Sequence, residues 1–361
     1  MADWSRAVER ATVQGHPCLV YAQRPRSVAE LLVAGRRWHS RELIVQGGRR
    51  ITGAEHLAAV GAVAALLRAR GVRRGDHVLL LGFNSVEWMV VFWALQALGA
   101  VAALGNAWWS DAEVADAVAQ VRPVLAVTDR AAAAPTIGFD ALAGPAPAEL
   151  VLEPCDEDDP ALIVFSSGTT GAAKGVLMSH RCVVANIQNL LVLTGRLPDE
   201  LPDDHPGTVA LLSVPLFHLA GIQTSITTLL SGGRLVLLDG RFDAAEVLRL
   251  VETERVRVWG AIPTMVSRVL DHPALGAHDV SSVRSVQMGG AAISPELRAR
   301  VSAGFPGVRT RVGSLYGLTE AGGVLAAGSG ADITARPGAV GRALPVVELT
   351  IRDPGPDGVG E

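Results

Sequence analysis

Apolar residues along this chain occur in two alternating patterns, helical spacing and short continuous runs. From residue 52 onward the pattern predicts helices over 53–70, 85–98 and 111–121, and strands over 77–82, near Val101 and over 123–129. A strand that is apolar at every position is buried on both faces, which is typical of a parallel sheet covered by helices. The first half of the chain therefore predicts a doubly wound α/β sheet.

A second alternation of strands and helices follows a connection rich in Ala, Pro and acidic residues at 130–159. Strands are predicted near Leu162, Val209, Leu235, Val256 and Val286, with helices over 243–254 and 294–303. From Gly338 short β-type segments lie between Pro and Gly turns, which predicts the start of a small β-barrel. We expect a first α/β subdomain over 1–159, a second over 160–337 and the start of the barrel over 338–361.

One apolar segment, residues 88–109, is about long enough to cross a bilayer. Gly99 and Gly105 divide it into a helix-length piece and a strand-length piece. No Lys or Arg flanks either end closely as a topology anchor. A buried helix that leads into a buried strand accounts for the segment better, and we expect no transmembrane segment.

Composition and charge narrow the class of protein. Hydrophobic residues make up 49% of the 361 residues and charged residues 19%, which predicts a folded chain with extensive burial. The formal net charge of -4 lacks the basic excess of a general nucleic-acid binder. The start lacks the apolar segment of a secretory signal, and three separated cysteines favour a reducing compartment. We expect a cytoplasmic protein that does not bind nucleic acid, with a homodimer left open.

The most informative segment is SSGTTGAAKG at residues 166–175, directly after the apolar strand ALIVF. Backbone N–H groups, hydroxyls and one Lys are the groups with which a loop surrounds phosphate oxygens. The glycines permit close backbone approach, and Lys174 supplies a mobile positive charge. The order differs from the G-x-x-x-x-G-K-[ST] of P-loop NTPases, because Ala173 precedes the Lys and Gly175 follows it.

Four motifs in this order resemble those of the AMP-binding, adenylate-forming superfamily, which includes acyl- and aryl-CoA synthetases, nonribosomal adenylation domains and luciferases. They are SSGTTGAAKG at 166–175, PLFHLAG at 215–221, MGGAAIS at 288–294 and YGLTEAG at 316–322. The resemblance runs from about residue 51 to the end of the chain. It implies ATP-dependent activation of a carboxylic acid to an acyl adenylate and then to an acyl-CoA thioester, with ATP, Mg²⁺ and coenzyme A taking part.

The resemblance also implies which residues form the site. Catalytic roles are implied for Lys174, Thr319 and Glu320, with Glu320 holding Mg²⁺. Contacts to ATP or AMP are implied for Ser166, Ser167, Gly168, Thr169, Thr170, Gly171, Lys174, Gly289, Gly290, Ala291, Leu315, Tyr316, Gly317 and Thr319, with Tyr316 along the adenine. The acyl pocket would be lined by His218, Gly221, Trp259, Ala261, Pro263 and Gly290. Core packing remains an alternative for Trp259, Ala261 and Pro263, as does a buried, hydrogen-bonded histidine for His218.

The identity of the acid and of the acceptor stays open at this stage. Segments such as NAWWSDAEVADAV look like those of bacterial lipid-activating ligases, which favours a fatty or sterol-derived acid, with an aryl acid as runner-up. Loading of a carrier protein would use the same adenylation site and differ only in the acceptor thiol. Outside the enzymes, the alternative is a non-catalytic nucleotide-binding relative. The family pattern also includes a ribose-binding Asp and a C-terminal lid domain with a Lys, which this sequence lacks, so we expect ligand binding with poor turnover.

Overall fold

The computed structural model describes residues 4–142, 148–166, 173–308, 312–330, 333, 335–336, 338–350 and 352–353. Within these ranges the helices are α1 Val28–Ala34, α2 Gly53–Ala69, α3 Val86–Ala97, α4 Asp111–Val121, α5 His180–Thr194, α6 Leu219–Leu230, α7 Ala244–Thr253, α8 Pro263–Leu270 and α9 Pro295–Gly304. The strands are β1 Val8–Val13, β2 His16–Tyr21, β3 Glu42–Gln46, β4 Arg49–Thr52, β5 His77–Leu81, β6 Val101–Gly105, β7 Leu125–Val127, β8 Thr136–Ile137, β9 Pro160–Ser166, β10 Lys174–Ser179, β11 Val209–Leu212, β12 Arg234–Leu237, β13 Val258–Ala261, β14 Ser285–Gly289, β15 Val312–Leu318, β16 Gly323–Ser329 and β17 Arg342–Ala343.

Two large sheets organise the described residues. The first has six strands in the order β10-β9-β6-β5-β7-β8, of which only the β9–β10 pair is antiparallel. The second has nine strands in the order β17-β16-β15-β14-β13-β11-β12-β3-β4. Its strands from β15 to β3 are parallel, and antiparallel strands lie at both edges. The predicted class, two mainly parallel sheets covered by helices, is confirmed.

The strands bury alternate residues on opposite faces, as the strand period of two requires. In β5, Val78 and Leu80 join the central core with α3, α5 and α6, whereas Leu79 and Leu81 pack with α4 on the other face. In β11, Leu212 belongs to the central core and Leu211 packs with α7, α8 and α9. The central strands of both sheets are therefore buried on two faces, which explains why they are apolar at successive positions.

The predicted boundary at residue 159 does not separate the two sheets. Strands β9 and β10 follow it but complete the first sheet, and β3 and β4 precede it but complete the second. In doubly wound sheets the spatial order of the strands differs from their order in the sequence, so a cut in the sequence need not fall between two sheets. At the other end, β17 lies within the predicted barrel start but pairs with β16 of the second sheet. The remainder of the predicted barrel start, at 351 and 354–361, lies outside the described residues.

The apolar segment 88–109 folds as a buried helix followed by a buried strand, as predicted. Ser85 caps α3 by accepting a hydrogen bond from the backbone N–H of Trp88. Leu98 and Gly99 end the helix, and the chain then enters β6 at the centre of the first sheet. None of the described helices combines the length and apolarity that a bilayer crossing requires.

Candidate active site

Three of the four motifs lie at the carboxyl ends of neighbouring strands in the second sheet. The strands β11, β13, β14 and β15 are consecutive, and their register pairs Leu212 with Gly260, Ala261 with Met288, and Gly289 with Leu315. Carboxyl ends of parallel strands meet at one edge, where ligands of open α/β sheets bind. The sheet order therefore brings PLFHLAG, MGGAAIS and YGLTEAG to one edge, together with residues 261–263 at the end of β13.

The fourth motif comes from the first sheet. Ser166 ends β9 and pairs with Lys174 at the start of β10, so the two residues close the base of the predicted phosphate loop. The end of β9 lies beside the turn Thr319–Ala321, so residues of the first and the second sheet meet at this point. Lys174 is exposed. It is the only lysine among the 361 residues, and all other residues in the Lys and Arg count are arginines. Ser167, Gly168, Thr169, Thr170 and Gly171, five predicted contacts, lie outside the described residues.

Gln120 on α4 positions the backbone around Lys174, a role that the sequence did not indicate. Its Nε2 donates to the carbonyl of Ala173 at 3.2 Å, and its Oε1 accepts from the N–H of Gly175. A Cβ at Gly175 would lie 2.8 Å from Oε1 and 2.9 Å from Ile163, so only glycine lets the amide come this close. Both backbone neighbours of Lys174 are therefore fixed by one side chain.

Gly290 and Ala291 form an exposed bend directly after β14, with their backbone open to a ligand. Gly290 has φ +78°, a left-handed conformation that favours glycine. A Cβ at Gly289 would stand 3.1 Å from the carbonyl of Leu315, so this position also lies close to the next strand. Gly290 and Ala291 are exposed, which leaves their backbone groups accessible.

Tyr316 and Thr319 lie on the strand and turn that follow. The side chain of Tyr316 is 47% exposed, which leaves part of its ring available for stacking. Its bulge with Gly317 interrupts the β15–β16 register immediately before the turn. Thr319 begins the turn, and its carbonyl accepts from the N–H of Gly322 at 3.0 Å. The adenine and α-phosphate contacts of these residues stay predictions.

Glu320 meets the requirements for a Mg²⁺ ligand next to phosphate. Its side chain is exposed and forms no ion pair with any residue that the structure describes. No group of three or more His, Cys, Asp or Glu in the described ranges could hold a metal alone. Mg²⁺ usually keeps several waters and binds through one or two carboxylates plus substrate phosphates. A single free carboxylate at this edge therefore fits the ion.

His218 immediately precedes α6, with an aromatic row beside it. Its surroundings desolvate the imidazole and lower the pKa of His218, so the ring is neutral near pH 7 although part of it is exposed. A row of aromatic rings begins at His218. The ring centroids are 4.7 Å apart for His218 and Phe217, 5.3 Å for Phe217 and Trp108, and 5.8 Å for Trp108 and Phe83. Trp108 and Phe83 are 48% and 42% exposed. The sequence did not single out this row, because its members lie on three separate loops.

Four other predicted acyl-pocket residues are buried, whereas Gly290 is exposed. Trp259 has no exposed surface, packs edge-on against Phe305 and donates from Nε1 to Ser213 Oγ at 2.9 Å, which favours the core-packing alternative. Ala261 belongs to the same core, and Pro263 is the first residue of α8. Gly221 is buried where a Cβ would meet the carbonyl of Pro215 at 2.2 Å. Its lack of a side chain allows the PLFH turn to close.

Comparison with known proteins identifies relatives along most of the chain. The family profile of the AMP-binding enzyme matches residues 32–361. The 4-coumarate–CoA ligase 2 of Oryza sativa subsp. japonica is 31% identical over 347 residues, 85% of this chain and 60% of that protein. The probable CoA ligase CCL5 of Humulus lupulus is 30% identical over 336 residues, 85% of this chain and 59% of that protein. The chain thus spans about three fifths of the length of these curated relatives.

Solved structures share the fold. The inhibitor-bound N-terminal domain of FACL13 from Mycobacterium tuberculosis has a TM-score of 0.79 at 27% identity, covering 93% of this chain and 86% of that one. O-succinylbenzoate coenzyme A synthetase (MenE) from Bacillus subtilis, in complex with AMP, has a TM-score of 0.76 at 24% identity, covering 90% and 83%. With the profile match over most of its length and the four motifs in order, the chain belongs to the AMP-binding enzyme family.

Proposed function

We propose that this chain is the substrate- and ATP-binding part of an acid–CoA ligase that forms AMP. The observation that carries the proposal is the position of three motifs at one edge of the second sheet, where the Thr319–Ala321 turn lies beside the end of β9, the strand that leads into the fourth motif and Lys174. The curated relatives are described as CoA ligases, which supports the reaction class. Coenzyme A is accordingly the proposed acceptor, and the cytoplasmic location stays a prediction.

In the first half-reaction, a carboxylate oxygen of the acid attacks the α-phosphorus of ATP. The bond to pyrophosphate breaks, and pyrophosphate leaves with the electron pair. Two anions must approach, so fixed donors and positive charge around the phosphates lower the barrier. Lys174, held at its backbone by Gln120, supplies the charge, and Thr319 supplies a hydroxyl beside the α-phosphate. Mg²⁺ held by Glu320 would neutralise phosphate charge when bound.

In the second half-reaction, the thiolate of coenzyme A attacks the carbonyl carbon of the acyl adenylate, and AMP leaves. The acid must therefore present its carboxyl group at the nucleotide while its remainder lies elsewhere. His218 stands between Phe217 and the start of α6, on the side of the edge away from the hairpin. A neutral imidazole there borders an apolar acid without drawing water around a charge.

The nature of the acid is the finer part of the proposal. The aromatic row of Phe83, Trp108 and Phe217 beside His218, in which Phe83 and Trp108 are exposed, favours an apolar, bulky acid, which a fatty or sterol-derived acid satisfies. An aryl acid is the second candidate, and the description of relatives as 4-coumarate–CoA ligases favours it. A carrier-protein acceptor and a non-catalytic nucleotide-binding relative stay the remaining alternatives.

A thermal-shift screen separates these acids. Each acid is added to the chain with ATP and Mg²⁺, and the shift is compared with that of ATP and Mg²⁺ alone. A ligand that binds only the folded state raises the midpoint, and the stabilisation grows with the logarithm of the ligand concentration relative to Kd. A shift that needs both ATP and a fatty or sterol acid supports the first candidate, and one with 4-coumarate the second. No ATP-dependent shift with any acid contradicts the function.

A further inference from the structure

We propose that two buried amides, Asn186 on α5 and Gln223 on α6, position the turn that carries Thr319 and Glu320 and tie it to the helix that begins after His218. The inference rests on the proposed function, because that function gives Thr319 and Glu320 their ligands. Neither amide is among the residues predicted to contact ATP, Mg²⁺ or the acid, so their role is to position the turn.

The hydrogen bonds run from α6 to the hairpin in a chain. Gln223 Nε2 donates to Asn186 Oδ1, and Asn186 Nδ2 donates to the carbonyl of Val324 at 2.9 Å. Both amides are only 7% exposed. Val324 pairs with Gly317 across the β15–β16 hairpin, whose turn is Thr319–Ala321. The amides therefore hold the backbone just beyond the turn.

Two glycines bring the turn against the helices without a gap. Gly323 has φ +127°, and a Cβ there would lie 2.2 Å from Gln223 Nε2 and 3.0 Å from Asn186 Oδ1. Gly322 has φ +79°, and a Cβ there would lie 2.3 Å from Cys182 Sγ. Close packing prevents the turn from moving inward, and the hydrogen bond to Val324 prevents it from moving outward.

The second link reaches the acid side of the site. Gln223 lies five residues after His218, near the start of α6. When one partner of a buried hydrogen bond is lost, the other stays unpaired and buried, so the two partners tend to move together. A displacement of α6 at His218 therefore moves the Gln223 amide, and with it Asn186 and the backbone that follows Glu320. The acid side of the site, at His218, and the turn that carries Thr319 and Glu320 are therefore coupled through the amide pair.

Two near-isosteric variants and a matched control test the role. Gln223→Met and Asn186→Leu remove the hydrogen bonds with little change in volume. Gln188→Met is the control, since Gln188 is also a fully buried amide on α5 but donates to the carbonyls of Ser5 and Gln23, away from the hairpin. For each protein, calorimetry gives the Kd of ATP in Mg²⁺ and in EDTA, and urea denaturation gives the free energy of unfolding.

The ratio of the two Kd values is the decisive readout, because lower stability alone does not change it. We expect Mg²⁺ to tighten ATP binding to the unmodified chain, and the tightening to fall about tenfold in both variants, as expected for a misplaced ligand. Gln188→Met should lose comparable stability and keep the ratio. If the unmodified chain binds no ATP, the proposed function fails. If it binds ATP and both variants keep its ratio, only the present inference fails. Should Asn186→Leu not fold, Gln223→Met decides alone.

Discussion

The amide of Gln120 bonds the backbone on both sides of Lys174, the one lysine in the chain. Lysine reaches its ligand through a flexible stem, so its effect depends on where its backbone is held. Gln120→Ala removes both of these hydrogen bonds, and we expect it to raise the Kd of MgATP by about threefold to tenfold, which corresponds to roughly 1 kcal/mol of binding free energy. Calorimetric titration measures it. Asp116→Ala, an exposed change on the same helix, is the control and should leave the Kd unaltered.

Two buried histidines make stability depend on pH. His56 is 1% exposed, neither ring nitrogen has a hydrogen-bond partner in the described ranges, and burial lowers its pKa to about 4. Burial also lowers the pKa of His180 to about 4. An unfolded histidine titrates near 6.5, so the unfolded chain binds more protons between the two values. The contribution of these two histidines to the free energy of unfolding is therefore fully present above pH 6.5 and is lost as pH falls toward 4.

We expect each of these histidines to contribute a loss on the order of 2 kcal/mol in unfolding free energy between pH 7 and pH 5. Urea denaturation at the two pH values measures the loss. His56→Leu should remove about half of the histidine-linked difference, because the part due to His180 remains. An unchanged difference in the variant would refute the assignment.

At the scale of elements, α6 depends on the closure of the PLFH turn over Gly221. A methyl group there would meet the carbonyl of Pro215 at 2.2 Å and Leu216 Cα at 2.7 Å, and backbone atoms cannot move aside as a flexible side chain can. We expect Gly221→Ala to destabilise the fold by about 2–3 kcal/mol, at the upper end for overpacking. Gly276→Ala, where nothing lies within 4 Å, is the matched control and should be close to neutral. Denaturant titration compares the two variants.

The sequence predicted the long helices and the strands that are buried on both faces well. Helix α4 was predicted at its observed bounds, because Ser110 and Glu113 form a capping box before an apolar stripe. The hairpins β1–β2 and β3–β4 and the strand β10 were missed, since their residues are largely exposed or mixed in polarity. The motifs indicated the site, but Gln120, Asn186 and Gln223 carry no local signal. The role of an amide side chain within a helix depends on the distant backbone groups with which it forms hydrogen bonds, and the local sequence does not specify these.

At the scale of the whole molecule, the two sheets exchange strands across residue 159. The first sheet needs β9 and β10, and the second needs β3 and β4. Each half of the chain would therefore expose an unpaired parallel strand and lose part of its core. We expect fragments 1–159 and 160–361, expressed separately, to lack a cooperative unfolding transition. Circular dichroism during urea titration checks this, and a cooperative transition in either fragment would show that the boundary separates autonomous units.

The central claim is that the β9–β10 hairpin receives the phosphates of ATP, and the single lysine allows a direct test. An acyl phosphate of ATP transfers its acyl group to an amine held near the phosphates, and the amine displaces ATP from the carbonyl. Lys174 offers the only side-chain amine of this kind, with the N-terminal amine as an internal reference. Peptide mass spectrometry should find the acyl group on Lys174, and excess MgATP should suppress it there but not at the N-terminus. Labelling of Lys174 that does not exceed the reference, or that MgATP leaves unchanged, would contradict the account.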